Sequence, residues 1–390
     1  MFTGPFLVIR RRTIRILEKL YQGMIRRRRS AITILSISLC FTLSLLTWTL
    51  YENEPLCDLP DIHHPFPANL SSHPSLRRSA TLYDKNFSFF LNLTDYSRLY
   101  PALQTYRCRA VIGLLGYCQT REPLILLAVK SHPIGRHRRD SLRRTWARET
   151  ILGGYHFKRV FLVANSGLKR QMEKLIEEAS IFEDIILWDF MESHHNLSLK
   201  ERCFLEWLHY RCPEASYIFK GDDDEFVNPY ALVSYISSSP REHRLQIHGQ
   251  LQIHAPPERW GKYAIPFSVY PHAYYPPFVS GGGFLLPSEL VPSLSWAASI
   301  IPIFPLDDVF FGFLALAANV SFHHDPRFRS FGLKNDIDCR YVDVLVAHGL
   351  TPQRILEVWQ LLPFIKSCPP ELDKQEEEEE KQKNKSVKNK

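Results

Sequence analysis

The sequence predicts an α/β fold in which a parallel or mixed sheet is flanked by helices, behind an N-terminal transmembrane helix. Three observations predict it. Short apolar segments alternate with helical patterns between residues 123 and 240. Residues 31–50 carry no charge. Hydrophobic residues make up 45% and charged residues 23% of the 390-residue chain, which excludes a disordered or collagen-like protein.

The positive net charge comes from one short segment. The chain carries 48 Lys and Arg against 41 Asp and Glu, a net charge of +7. Residues 1–30 contain nine basic residues and one acid, Glu18, so the rest of the chain is nearly neutral. A nucleic-acid-binding protein would carry a basic face on its folded part. The charge pattern therefore argues against a nucleic-acid partner.

Residues 31–50 are predicted to be a transmembrane signal anchor. Twenty helical residues span about 30 Å, the thickness of a bilayer core. A cleaved signal peptide would have a shorter apolar region and a small-x-small cleavage site. A buried core helix is the other alternative, but four arginines at 26–29 precede this segment and Glu52 follows it. The positive-inside rule then places residues 1–30 in the cytosol and the rest in a lumen.

Glycosylation sequons agree with a lumenal position, since all of them follow the predicted anchor. Each has the pattern Asn-x-Ser/Thr without an intervening proline. The expected sites are Asn69, Asn86, Asn92, Asn196 and Asn319. A sixth sequon, at Asn384, lies in the charged tail.

The cysteines are typical of an oxidising compartment, where disulfides form. Cys40 lies in the anchor, and seven of the eight cysteines follow it. Proximity along the chain favours the pairs Cys108–Cys118 and Cys339–Cys368. The connectivity does not follow from sequence alone, and the odd number leaves one thiol free or intermolecular.

The part after the anchor divides into three regions by composition. Residues 51–120 are rich in proline, serine and sequons and are predicted to be a lumenal stem, with local structure near 87–93. Residues 121–370 are predicted to be the folded domain. Residues 371–390 are acidic and lysine-rich without an aromatic residue, which is typical of a disordered tail.

Strands and helices alternate in the first half of the folded domain. Strands are expected at LILLAV (124–129), RVFLVA (159–164), DIILWDF (184–190) and SYIF (216–219). Helices are expected at 136–148, 169–179 and 199–210. This alternation favours right-handed crossovers and a largely parallel sheet.

Three adjacent carboxylates, Asp222, Asp223 and Asp224, follow the last of these strands. They repel one another, so a folded protein keeps them together with solvent or a cation. Ligands bind at such strand ends in α/β sheets, and hard oxygen ligands favour Mg²⁺ or Mn²⁺. A solvated acidic turn is the alternative. An aspartyl-phosphate phosphatase would continue with Gly-Thr, but Glu225 and Phe226 follow here.

Two later motifs also predict a ligand site. Gly281, Gly282 and Gly283 stand between aromatic residues, and glycines let a backbone approach a ligand closely. A plain glycine-rich turn is the alternative. Asp307 and Asp308 begin an apolar helical pattern, where helix N-capping is the alternative. Together the motifs predict a metal-binding carboxylate cluster and a separate base.

In order and spacing, these motifs resemble the Golgi β-1,3-glycosyltransferase family, most closely its β-1,3-N-acetylglucosaminyltransferase branch. The resemblance extends from about residue 123 to 368. The motifs that carry it are LILLAVKS, the Arg138/Arg139/Arg143/Trp146 block, WDF at 188–190, NLSLK at 196–200, FKGDDD, YPPFVSGGGF, FPLDDVFFG, RFRSFG and CRYVDVLVAH.

The resemblance implies a GT-A fold, with a Rossmann-like mixed sheet, that binds a UDP-sugar with Mn²⁺. It makes 121–370 a catalytic domain. Asp222 and Asp224 would hold the metal and contact the donor, Asp308 would be the general base, and Asp307 its less favoured neighbour. Substrate-binding positions would be Asp223, Arg138, Arg139, Arg143, Lys200, Gly281, Gly282, Gly283 and Phe284.

Two departures from the family pattern bear on the metal. Glu225 stands where an apolar residue is usual and places a fourth acid beside the cluster. The family's late metal-binding histidine position, counted from Asp308, falls on Asp325, with His324 one residue away. Asp325 or His324 is therefore the expected further ligand.

The resemblance implies an inverting β-1,3-glycosyltransferase, anchored by one helix in the Golgi membrane with its catalytic domain in the lumen. The expected reaction moves GlcNAc from UDP-GlcNAc to a galactose-terminated glycan of a glycoprotein or glycolipid, as in poly-N-acetyllactosamine. A β-1,3-galactosyltransferase using UDP-galactose and a catalytically weak lumenal sugar-binding protein are the alternatives. A homo-oligomer is compatible with the sequence.

Overall fold

The computed structural model describes residues 77–85 and 87–369. The predicted anchor, the basic segment before it, residues 51–76 of the predicted stem and the charged tail lie outside these residues. Cys40, Cys57, Asn69 and Asn86 also lie outside them. Within the described residues, no helix is long and apolar enough to cross a membrane.

The strands of the described part are short, and the longest lie in the middle of the chain. They are β1 (Ala80–Asp84), β2 (Phe87–Leu91), β3 (Ala110–Ile112), β4 (Leu124–Lys130), β5 (Thr150–Leu152), β6 (Tyr155–Asn165), β7 (Ile185–Met191), β8 (Ala215–Asp222), β9 (Phe226–Val227), β10 (Ile247–Gln252), β11 (Phe278–Pro287), β12 (Phe322–His324), β13 (Phe328–Arg329) and β14 (Val346–Ala347).

The α-helices are interspersed with these strands. They are α1 (Leu93–Leu99), α2 (Pro101–Thr105), α3 (Arg136–Arg144), α4 (Lys169–Phe182), α5 (Leu197–Arg211), α6 (Pro229–Ser238), α7 (Val291–Ile300), α8 (Asp307–Ala317) and α9 (Pro352–Leu361).

A nine-stranded mixed sheet forms the core. Its path runs β12-β10-β11-β8-β4-β6-β7-β3, and β5 pairs with β6. At its centre β4 pairs in parallel with β6 and with β8, and β6 pairs in parallel with β7, as strands joined through helices can. Strand β8 pairs antiparallel with β11 on its other side. All seven residues of β4 are buried, as a strand covered on both faces requires. The predicted α/β class with a mixed sheet is confirmed.

Every strand and helix predicted between residues 124 and 219 is present, with bounds that differ by a few residues. The largest differences are at β6, which begins at Tyr155, and at α3, which ends at Arg144. Strand β6 is longer than its apolar run because β5 pairs with its first residues. The pairing with β5 thus extends β6 beyond the apolar run that predicts it.

Residues 80–120 belong to the folded body, although the sequence predicted a stem up to 120. Strand β3 pairs antiparallel with β7 at the edge of the central sheet. Leu91 and Tyr96 are fully buried in the core. The apolar side chains that lie between the sequons, such as Leu91 and Tyr96, anchor this segment in the core. The folded part therefore begins about forty residues before the predicted domain boundary.

The disulfides correct one predicted pair. Cys108 bonds to Cys203 and Cys118 bonds to Cys212, instead of Cys108 bonding to Cys118. Cys108 and Cys118 lie on either side of β3, and each faces a different cysteine at α5. Proximity along the chain could not reveal this, because a strand separates the two. The pair Cys339–Cys368 is present as expected.

Candidate active site

A cleft of about 980 Å³ contains most of the predicted site residues. It lies where β4 ends at Lys130, where β8 ends at Asp222 and where α8 begins at Asp307. Asp222, Asp223, Asp224, Asp307 and Asp308 all line it. The fold therefore brings together two acidic motifs that are about eighty residues apart in the sequence.

The acidic turn at 222–224 is held in place by the segment that follows β4 and by α3. Ser131 Oγ donates to Asp223 Oδ2 at 2.7 Å, and Arg139 Nη1 donates to that hydroxyl at 2.9 Å. Trp146 Nε1 donates to the carbonyl oxygen of Glu225 at 2.8 Å. Burial raises the pKa of Asp223 to about 6. The turn is thus rigid before any ligand binds.

His348 lies directly against the acidic turn. Strand β14 pairs antiparallel with β9, which places the residue after β14 beside Asp224. His348 Nε2 is 3.3 Å from Asp224 Oδ1, and Leu350 N donates to the Asp224 carbonyl at 2.8 Å. One ligand atom each from Asp222, Glu225 and His348 lie within 4.8 Å of one another. This is a compact set of oxygen and nitrogen donors.

His324 and Asp325 are not part of the cleft, which corrects their predicted role as metal ligands. Asp325 accepts from the guanidinium of Arg327 at 3.0 and 2.8 Å. His324 Nδ1 accepts from Leu251 N, and its ring is exposed. Strand β12, which carries His324, is the edge strand of the sheet. Counting residues from Asp308 could not show that the pairing of β14 with β9 brings another histidine, His348, beside the acidic turn.

The donors at the acidic turn fit a divalent cation. Glu225 is fully buried, and its Oε1 accepts from Asp222 N at 2.8 Å, while Oε2 is buried without a hydrogen-bond partner. Burial, and then the charge of Asp222, raise the pKa of Glu225 well above its usual range. A cation would satisfy such an orphaned oxygen. Carboxylate oxygens with one imidazole nitrogen suit Mn²⁺.

Asp307 is held by a buried lysine. Lys130 is 7% exposed, and its Nζ lies 2.7 Å from Asp307 Oδ2 and 3.2 Å from Asp222 Oδ1. Burial opposes the charge of Lys130, but Asp222 and Asp307 outweigh it and raise the pKa of Lys130. Burial would likewise raise the pKa of Asp307, yet Lys130 lowers it. Asp307 is therefore an ionised, paired carboxylate.

Asp308 differs from its neighbour. Burial raises the pKa of Asp308 to about 7, and the negative charge of Asp307 adds to the effect. Its Oδ1 accepts from Val309 N at 2.8 Å, in the first turn of α8. A carboxylate with a pKa close to neutral can accept a proton from a bound hydroxyl group. Asp308 is thus suited to be a general base.

The glycine motif contributes one open position to the cleft. A Cβ at Gly281 would lie 3.6 Å from Lys130 Nζ and 3.7 Å from Asp308 Cβ, so its absence leaves room beside both. Gly283 has φ +97°, and a Cβ there would lie 2.6 Å from Val346 Cγ1. Gly282 lines the cleft, but Gly283 and Phe284 do not. Phe284 packs against Phe311 in the core, which corrects its predicted place at the sugar.

Only one of the three predicted arginines lies beside the acidic turn. Arg138 Nη1 is 3.7 Å from Asp223 and 3.8 Å from Asp224. Arg139 is fully buried and pairs with Glu178 at 2.6 Å. Arg143 is buried too and pairs with Glu178 and Asp184, both at 2.8 Å. Arg139 and Arg143 therefore stabilise the fold behind the cleft instead of binding a substrate directly.

Lys200 lines the cleft as predicted, but its charge is already paired. Its Nζ lies 2.8 Å from Glu192 Oε1 and donates to the Ser131 carbonyl at 3.0 Å. Sequence reasoning assigned no role to Lys130, Ser131, Glu192 or His348. Two signals were available: Lys130 and Ser131 end the LILLAVKS motif, and His348 ends the CRYVDVLVAH motif.

Three predicted glycosylation sites fall on described residues. Asn92 caps α1 by accepting from Thr94 N, and Asn196 Nδ2 donates to the Met191 carbonyl. Asn319 is exposed and follows α8 in a left-handed conformation, with φ +54°. All of these sites remain predictions.

Comparisons with known proteins find similarity to glycosyltransferases. Residues 137–326 match the family model described as Galactosyltransferase. The UDP-GlcNAc:betaGal beta-1,3-N-acetylglucosaminyltransferase 7 of Rattus norvegicus is 34% identical over 298 residues, covering 72% of this chain and 74% of its own. The N-acetyllactosaminide beta-1,3-N-acetylglucosaminyltransferase 2 of Homo sapiens is 32% identical over 289 residues, covering 71% and 69%.

Similarity to solved structures is weaker. Galactosyltransferase LgtC, solved with donor and acceptor sugar analogues, aligns with a TM-score of 0.30 at 12% identity. The alignment covers 63% of this chain and 98% of that one. A TM-score of this size carries no argument about function.

Proposed function

The chain belongs to the galactosyltransferase family of β-1,3-glycosyltransferases, and on that premise we propose that it transfers GlcNAc from UDP-GlcNAc in β-1,3 linkage to a terminal galactose. The observation that carries the proposal is the cleft itself. It combines a cation-binding acidic turn with a separate buried carboxylate whose pKa is raised to about 7. A binding protein of the same fold would need the first cluster and have no use for the second.

The acidic turn and its neighbours would bind the donor. Asp222, Glu225 and His348 would hold Mn²⁺, together with Asp224, which lies 3.3 Å from His348. When bound, the cation would neutralise the charge that develops on the diphosphate leaving group. Arg138, beside the turn, adds a positive charge on the same side of the cleft. The proposed fold type is GT-A, which the central mixed sheet and the site at its strand ends support.

Asp308 would act on the acceptor. As the acceptor 3-hydroxyl oxygen forms its bond to the anomeric carbon, its proton moves to Asp308 and the bond from that carbon to the diphosphate oxygen breaks. Attack from the face opposite the leaving group turns an α-linked donor into a β-linked product. Lys130 keeps Asp307 ionised and fixed, so the neighbouring charge that favours proton uptake by Asp308 persists.

A donor panel tests the proposal. Purified full-length protein should transfer GlcNAc, but little galactose, to N-acetyllactosamine in the presence of Mn²⁺, and EDTA should abolish transfer. Galactose transfer is the second candidate, favoured by the match to the Galactosyltransferase family model. Preference for UDP-galactose would establish that alternative. Binding of UDP without transfer from either donor would favour a non-catalytic sugar-binding protein.

We also propose that the protein is a single-pass type II protein of the Golgi membrane with a lumenal catalytic domain. The uncharged segment 31–50 and the basic residues before it support this topology. The three disulfides are compatible with an oxidising lumen. In Golgi vesicles, added protease should leave residues after 50 intact until detergent is added. Digestion without detergent would contradict the topology.

A further inference from the structure

The loop between β10 and β11, residues 253–277, contributes several residues to the lining of the cleft. Tyr275 N donates to the Ala255 carbonyl at 2.9 Å, and both residues line the cleft together with Asp308. Tyr263 lines it too, and its ring lies 5.1 Å from the ring of His194 across the cleft wall. The loop therefore forms part of the cleft lining, and the charge of Asp308 acts on Tyr275.

The apex of this loop is rigid. The guanidinium of Arg259 donates to the carbonyls of Ile265 at 2.8 Å and Tyr270 at 3.0 Å. Ile265 N donates back to the Glu258 carbonyl at 2.8 Å. The Arg259 guanidinium also lies over the ring of Phe267, 5.3 Å from its centroid. The conformation of the apex is thus fixed from below by hydrogen bonds to its own backbone.

Trp260 stands at this fixed apex with its side chain 85% exposed. Its neighbours along the chain, Glu258 and Lys262, line the cleft. Single exposed aromatic residues are common on protein surfaces, so the weight of this one comes from its position between two residues that line the cleft. An aromatic face held in a fixed position loses little conformational entropy on binding, which makes it an efficient contact.

An acceptor glycan has to place a hydroxyl of its terminal sugar at Asp308. The rest of the glycan then extends out of the cleft past residues that line it, among them those of this loop. We propose that Trp260 forms a carbohydrate subsite, in which the apolar C–H face of an internal sugar of the acceptor stacks on the indole ring. This inference rests on the proposed function. Glu258 and Lys262 supply polar groups beside the ring for the sugar hydroxyls.

The subsite predicts a preference for longer acceptors that depends on Trp260. With full-length protein, the ratio of kcat/KM for an N-acetyllactosamine tetrasaccharide to that for the disaccharide should fall about fivefold in Trp260→Ala, the size expected from the loss of one aromatic contact. Trp260→Phe should retain most of the ratio. Trp296→Ala is the matched control, because Trp296 is 57% exposed on α7, and no residue of that helix lines the cleft.

The outcomes separate this inference from the proposed function. Transfer to both acceptors with an unchanged ratio in Trp260→Ala would overturn the subsite while the proposed function stands. A loss equal for both acceptors would overturn it as well. No transfer to either acceptor would overturn the proposed function. In that case, NMR saturation transfer from the protein to the tetrasaccharide measures acceptor binding directly. Trp260→Ala should weaken this signal and Trp296→Ala should leave it intact. Equal signals in the two variants would refute the subsite.

Discussion

Two groups of aspartates line one cleft, and their surroundings make them chemically different. Asp224, on the turn after β8, faces Arg138 and His348 and is partly exposed. Asp308, at the start of α8, is desolvated and has a like charge next to it, which raises its pKa to about 7. The first arrangement binds positive charge and the second accepts a proton. The same residue type thus serves two functions because its neighbours differ.

Lys130 links the two groups without making them equivalent. Its ammonium lies within 3.2 Å of Asp222 and 2.7 Å of Asp307. It therefore pairs with one carboxylate of each group, Asp222 in the acidic turn and Asp307 next to the base. Variants that affect only one group test whether the acidic turn binds the cation and Asp308 accepts the proton, as two separate roles.

The largest effect is expected from Asp308→Asn, which removes the proton acceptor and keeps the side-chain shape. The kcat for transfer from UDP-GlcNAc to N-acetyllactosamine should fall about a thousandfold, the contribution of a positioned general base. A steady-state assay measures it, with circular dichroism to verify folding. A folded variant with near-normal turnover would remove Asp308 from the reaction.

The second prediction concerns the arginines behind the acidic turn. Arg139→Met should lower the free energy of unfolding by about 3 kcal/mol, because it leaves the buried Glu178 with one partner fewer. Urea denaturation measures this change. Arg136→Met, on the same helix but 47% exposed, is the control and should change it by less than about 0.5 kcal/mol. Equal stability of both variants would show that Arg139 is not structural.

The third prediction concerns the metal. His348→Ala should weaken Mn²⁺ binding about thirtyfold, since it removes one donor of the acidic turn. His324→Ala is the matched control, because His324 lies on the edge strand and should have no effect. Isothermal titration with Mn²⁺ and UDP measures both. Loss of affinity in His324→Ala alone would restore the ligand expected from the sequence.

The fourth prediction is the smallest and follows from the pKa of Asp308. A general base works in its deprotonated form, so kcat/KM should fall as the pH drops through about 7. Below that point the loss should approach about tenfold per pH unit. The residual activity of Asp308→Asn should lack this dependence. A flat profile for the unmodified protein between pH 5 and 8 would contradict the proposed base.

Strands β4, β6 and β7 of the central sheet were predictable because they are mostly apolar. LILLAV, RVFLVA and DIILWDF are buried except at Arg159 and Asp189, so their composition marks them. Strands β5, β10, β11 and β12 of the same sheet were not predicted. The segment around β3 was not predictable in this way. It is three residues long and held by the pairing with β7 and by two disulfides to α5, which are contacts of long range.

The site was predictable as far as it rests on consecutive residues. Asp222 to Asp224 and Asp307 to Asp308 are visible as motifs, and the structure places them in one cleft. His348 was missed because its position next to Asp224 depends on the pairing of β14 with β9. Each of these strands is only two residues long and leaves no clear pattern in the sequence. Arg139 was misplaced because a sequence motif does not show which of two neighbouring arginines faces the core.

The most direct test of the division between the two groups is the affinity of Asp308→Asn for UDP in the presence of Mn²⁺, measured by isothermal titration. If the acidic turn alone binds the donor, the Kd of this variant should stay within about twofold of that of the unmodified protein. A Kd weakened as strongly as in His348→Ala would show that both groups bind the donor and would contradict the separate roles assigned to them.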